Sequence, residues 1–181
     1  MKKIVAVFSV FFFALAAQAG DEWQTREQLF APIADPSLSP ERRYAELDLN
    51  GDGRDDLVLS ESVTLGGTGG LVYNIYLALG QDRYRQIDRF LAGIIATEIH
   101  HGTTRLWFYT HMSAGSGTVQ YRYFDPKGTL QRSQVLLIYP GDGGSEIGNG
   151  IYTSIFNDRT KFKMKTWGPP IEGKPGNRDD D

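Results

Sequence analysis

The sequence predicts a mainly β protein: an antiparallel meander forming a twisted sheet, sandwich or partly open barrel, with a short N-terminal helix. Three observations carry this expectation. Apolar and polar residues alternate over strand-length segments, most clearly in Val72 to Leu79 (VYNIYLAL) and Val119 to Phe124 (VQYRYF), as a strand with one buried face requires. Glycine-rich or turn-forming residues separate these segments, as in Asp125-Pro126-Lys127-Gly128, where the chain must reverse. The connections are also too short for the helical crossovers of a parallel sheet.

Residues 1–19 read as a signal peptide. Lys2 and Lys3 precede the apolar run Ile4 to Leu15, and Ala17-Gln18-Ala19 supplies a small-x-small cleavage site, so that Gly20 begins the mature chain. The apolar run is shorter than the roughly 20 residues that span a bilayer, so no stable membrane insertion is expected after cleavage. The sequence contains no cysteine, which removes disulfides, thiolate metal sites and lipoprotein anchoring. With 22 acidic against 19 basic residues over 181 positions, the chain lacks the basic excess of a nucleic-acid binder.

Residues 20–43 are expected to form the N-terminal helix and a connection. Trp23, Leu29 and Phe30 fall on one helical face before Pro32, and Pro36 and Pro40 keep the following stretch extended. The β domain is expected over residues 44–167. Strands are predicted at Tyr44 to Asp48, Leu57 to Ser62, Val72 to Leu79, Tyr84 to Leu91, Ile94 to Ile99, Arg105 to His111, Thr118 to Phe124, Leu130 to Tyr139, Tyr152 to Phe156 and Lys161 to Thr166. The glycine clusters at Gly66 to Gly70, Gly115 to Gly117 and Gly141 to Gly144 lack a following Lys-Ser/Thr, so they read as turns rather than phosphate loops. Residues 168–181, with three prolines and a closing run of aspartates, have the composition of a disordered tail.

The segment that carries chemistry is Asp48-Leu49-Asn50-Gly51-Asp52-Gly53-Arg54-Asp55-Asp56. Side-chain oxygens stand at positions 1, 3, 5 and 9, and Gly53 at position 6 allows the sharp turn that brings the Arg54 carbonyl round. Ca²⁺ takes six to eight hard oxygen ligands, and a wrapping chain delivers them from alternate positions. Asp48, Asn50, Asp52, Arg54 and Asp56 are therefore the candidate calcium ligands. The alternative is a solvated Asn-Gly or Asp-Gly hairpin turn, which explains Gly51 and Gly53 but not Asp56. An EF-hand is excluded, because its twelfth position needs a carboxylate and Leu59 stands there.

The DxNxDGxxD loop followed directly by a strand resembles the calcium loops of FG-GAP and integrin α-chain propeller repeats and of VCBS-type repeats. The resemblance covers Leu47 to Leu59 and extends loosely through the glycine-rich turn to Tyr84. It implies that the loop's aspartates and asparagine bind calcium with the Arg54 carbonyl. It does not imply a propeller, because a single loop occurs in a chain too short for a ring of blades. The ion's expected role is structural, with an affinity of about 10⁻⁴ to 10⁻³ M, as in other exported modules.

Other constellations are weaker. His100, His101 and His111 flank one predicted turn and strand and invite a transition-metal or acid-base reading, but adjacent His100 and His101 point to opposite faces of an extended chain, which prevents simple pairing. Glu61 and Glu98 are conceivable carboxylate partners in glycoside chemistry, and no Gly-x-Ser-x-Gly elbow occurs. Tyr73, Tyr76, Tyr84, Trp107, Tyr109, Tyr121 and Tyr123 fill either a core or an exposed binding row. The expected function is that of a periplasmic or secreted, calcium-binding, non-enzymatic module for a protein or glycan ligand. The alternatives are an inhibitor or immunity protein against an exported hydrolase, and a calcium-stabilised hydrolase.

Overall fold

A computed structural model describes residues 22–100, 102–113, 116–125, 129–138, 146–156 and 164–167. The expected signal peptide, His101, the glycine cluster 141–144 and the tail from 168 lie outside these residues. In chain order the elements are β1 (Gln24–Thr25), α1 (Arg26–Leu29), β2 (Arg42–Leu47), β3 (Asp56–Ser60), a 3-10 turn (Val63–Leu65), β4 (Leu71–Gly80), β5 (Arg83–Ala92), β6 (Ile94–His100), β7 (Thr103–Ser113), β8 (Ser116–Phe124), β9 (Leu130–Ile138), α2 (Glu146–Phe156) and β10 (Lys165–Trp167).

The protein is mainly β and antiparallel, as the alternation requires, and one of its sheets curls as a half-barrel. A six-stranded sheet runs β1-β5-β4-β3-β2-β10, and a four-stranded sheet runs β6-β7-β8-β9. Pairings such as Leu57↔Tyr76 and Trp107↔Tyr121 set the register. Because side chains alternate across each strand, every strand of the two sheets has an inner and an outer set.

The inner sets meet in a core of Val58, Tyr73, Ile75 and Phe90 from one sheet and Ile95, Leu106, Phe108 and Phe124 from the other, joined by Leu49 of the connection between β2 and β3. On the far face of the six-stranded sheet, Leu57, Leu59 and Tyr76 pack with Leu29 and Phe30. On the far face of the four-stranded sheet, Trp107, Tyr109 and Val119 pack with Ile155 and Phe156 of α2.

Two sequence expectations are corrected. Tyr152 to Phe156, predicted as a strand, is the end of helix α2. Tyr152, Ile155 and Phe156 share a helical face at spacings of three and four, and that face covers Tyr109 and Val119; their aromatic and β-branched character had suggested a strand. The helix expected over Trp23 to Phe30 is not formed as such. Gln24 and Thr25 are extended and pair with Tyr84 and Arg83, leaving one turn, Arg26–Leu29, capped by Thr25 and Gln28.

One charge cluster lies between the sheets. Arg122 of β8 donates through Nε to Asp88 of β5 at 2.6 Å, and Arg132 of β9 reaches the other Asp88 oxygen at 3.1 Å. The Arg122 and Asp88 side chains are only 10% and 8% exposed, and the Arg122 guanidinium rests 4.8 Å from the centre of the Phe108 ring. Burial pushes the Arg122 pKa down, while its bond to Asp88 opposes that fall. Removing one partner of a buried pair leaves the other charge uncompensated. Asp88→Ala is therefore expected to lower unfolding stability by about 3–5 kcal/mol, read from urea denaturation midpoints.

Candidate metal loop

Strands β2 and β3 form a hairpin in which Leu47 pairs with Asp56, so residues 48–55 are the connection between them. Gly51 and Gly53 adopt φ of +77° and +83°, the left-handed region that glycine enters without a Cβ penalty. These two residues fold the connection back on itself, so its backbone N–H groups point inward. Side chains of the same loop then accept those hydrogens.

Asp48 Oδ1 accepts from the N–H groups of Gly51 and Asp52 at 2.8 and 3.1 Å, and Oδ2 accepts from Gly53 at 2.9 Å. Asn50 Oδ1 accepts from the Asp52 N–H at 3.0 Å, while Asn50 Nδ2 donates to Asp52 Oδ2 at 3.0 Å. Asp52 also accepts from the Arg54 N–H at 2.9 Å and from its guanidinium at 2.7 Å. The Arg54 guanidinium beside it holds the Asp52 carboxyl down at about 2.

Asp56 occupies a different environment. It is fully buried, with Oδ2 accepting from the Leu49 N–H at 3.0 Å and Oδ1 from the Ala78 N–H of β4 at 2.9 Å. Burial pushes its pKa up to about 6 against these two hydrogen bonds, and the nearby charges of Asp52 and Asp48 push it the same way. Neutral N–H donors thus face a buried carboxylate that has two further carboxylates near it.

The structure therefore gathers Asp48, Asn50, Asp52 and Arg54 into one hydrogen-bonded loop and sets Asp56 beneath it at the head of β3. Among the described residues no three acidic or histidine side chains converge as a ready-made metal cluster. The donor chemistry nevertheless fits a hard cation. Asp48 Oδ2 and the two Asp56 oxygens each accept a single N–H and so retain lone pairs, and a dication would favour the charged form of Asp56, which burial and, less strongly, the nearby Asp52 and Asp48 charges disfavour. In such a site Asp48, Asn50, Asp52, Asp56 and the Arg54 carbonyl would be the ligands, and the Arg54 guanidinium already holds Asp52 at 2.7 Å.

The other candidate residues stay apart. Glu61 follows β3 and pairs with Arg89 at 2.7 Å. Glu98 lies on the other sheet, where it accepts from Trp107 Nε1 at 3.1 Å and stands 3.7 Å from Arg105. His111 lies near the end of β7 against Tyr109, and the side chain of His100 lies outside the description. Of the aromatic residues, Tyr73, Tyr76, Trp107 and Tyr109 are buried, and Tyr84, Tyr121 and Tyr123 are half-buried.

Two contacts to the loop have no local signal in the sequence. Thr104 of β7 donates its hydroxyl to the Asp48 carbonyl at 2.7 Å, and Gly102 lies against Gly51. Thr104 lies in the opposite sheet and Gly102 in the turn leading into it, each more than fifty positions away in sequence. No family model matches the chain, and no curated protein and no solved structure matches it.

The two kinds of aspartate should respond differently to truncation in the absence of added metal. Asp56→Ala leaves the buried N–H groups of Leu49 and Ala78 without an acceptor, at roughly 1–3 kcal/mol for each. Asp52→Ala removes an exposed pair and is expected to change stability by less than about 1 kcal/mol. Parallel urea titrations of the two variants check the contrast.

Proposed function

We propose that the chain is an exported calcium-binding β protein acting as a non-enzymatic binding module, in which Asp48, Asn50, Asp52, Asp56 and the Arg54 carbonyl hold one Ca²⁺. The observation that carries this reading is the DxNxDGxxD spacing on a strand-to-strand hairpin whose turn is closed by two left-handed glycines. That arrangement resembles the FG-GAP, integrin α-chain and VCBS calcium loops. The ion would neutralise the clustered carboxylates and tie both ends of the connection together.

Export is part of the proposal and rests on the charged, apolar and small-residue succession of residues 1–19. No helix among the described residues is long and apolar enough to cross a membrane. A binding role for a protein or glycan ligand is favoured over hydrolysis because Glu61 and Glu98 are each paired with an arginine on different sheets.

Calcium titration of chelator-treated protein tests the reading directly. Saturable heat is expected by calorimetry, and a Ca²⁺ concentration ten times Kd should stabilise the fold by about 1.4 kcal/mol. That corresponds to a melting shift of roughly 3–6 °C. Asp52→Ala should abolish both effects, and the absence of either in the wild-type chain would remove the calcium assignment. Expression of the full chain in a bacterium with export machinery should yield a periplasmic or extracellular product whose N-terminal sequence begins at Gly20.

A further inference from the structure

The loop at residues 48–55 closes a hairpin of the six-stranded sheet, yet it also makes close contacts with the other sheet. Thr104, 6% exposed near the start of β7, donates its hydroxyl to the Asp48 carbonyl at 2.7 Å. Gly51 lies so close to the turn between β6 and β7 that a Cβ there would stand 3.0 Å from the Gly102 carbonyl oxygen and 3.4 Å from Thr103 Cγ2. Leu49, between these contacts in sequence, is 1% exposed and packs in the inter-sheet core with Leu106 of β7.

One short segment therefore has two functions built into alternate groups. Asp48, Asn50 and Asp52 gather side-chain oxygens within the loop, while the Asp48 carbonyl, Leu49 and Gly51 grip the opposite sheet. We propose that this loop is an ion-operated clasp between the sheets: calcium bound by its side chains fixes the turn joining β6 to β7 through the Asp48–Thr104 hydrogen bond and the Gly51–Gly102 contact. The proposal rests on the calcium reading above. Its physical basis is that Asp48 offers its carboxylate to the loop and its carbonyl to Thr104, so fixing one end of the residue fixes the other.

Because coupling between two events is reciprocal, the clasp has two readouts. In amide hydrogen exchange of the full chain, Ca²⁺ should slow exchange at residues 47–57 and also at residues 102–106, the latter by a factor of about 5–150. Thr104→Val keeps the shape but removes the hydroxyl donor. It should lose the protection at 102–106 and weaken Ca²⁺ binding by the same factor, with a native circular dichroism spectrum. Thr104→Ser, which retains the hydroxyl, should preserve both effects and so separates the hydrogen bond from general damage to the fold.

Calcium binding with protection confined to residues 47–57 would overturn the clasp and leave the calcium reading standing. Unchanged affinity in Thr104→Val would overturn the clasp in the same way. No binding heat in the wild-type chain would overturn the calcium reading and the clasp together.

Discussion

Strand β3 is buried along its whole length, and the rest of the molecule is arranged around the consequences of that burial. Each of its five residues is shielded from water, so Leu57 and Leu59 supply the outer core while Val58 supplies the inter-sheet core. A strand buried on both faces needs partners on both edges, which β2 and β4 provide. It also has to bring Asp56 inside. The carboxylate answers by accepting from Leu49 in the connection and Ala78 in β4, so the first residue of β3 fastens the loop before it to the strand beside it.

That arrangement explains why the candidate metal loop divides into exposed and buried halves. Asp48 and Asp52 can satisfy backbone N–H groups while remaining in contact with water, where a carboxylate costs little. Asp56 has no such access, and its raised pKa expresses the cost of holding charge in an apolar setting. Its two hydrogen bonds give Asp56 a structural duty independent of any ion.

Elsewhere charge is used to join layers. Arg122 sits among inward-facing residues and meets Asp88 from the opposing sheet, whereas Arg105, on the other face of β7 from Leu106, lies over Trp107, Tyr121 and Tyr123. Both guanidiniums place their planar, weakly hydrated faces against rings while their edges reach carboxylates. The aromatic rows of β7 and β8 thus serve mainly as packing and as cover for arginine. The inner and outer layers are stitched differently, one by a buried ion pair and one by α2.

Alternation along the strands was legible in the sequence because side-chain direction in a strand follows chain position alone, and the antiparallel β character followed from it together with the short connections. The ligand-like spacing of Asp48, Asn50, Asp52 and Asp56 was legible for a related reason: every offset lies within one turn of chain. Tyr152 to Phe156 was misread because a short aromatic and β-branched run suits either a strand or a helix, and only its packing on Tyr109 and Val119 decides between them. The division into two sheets, the pairing of Asp88 with Arg122 and the hold of Thr104 on Asp48 depended on the tertiary structure. Those contacts join residues far apart in the chain, and local sequence preference carries no information about which distant strand a residue will meet.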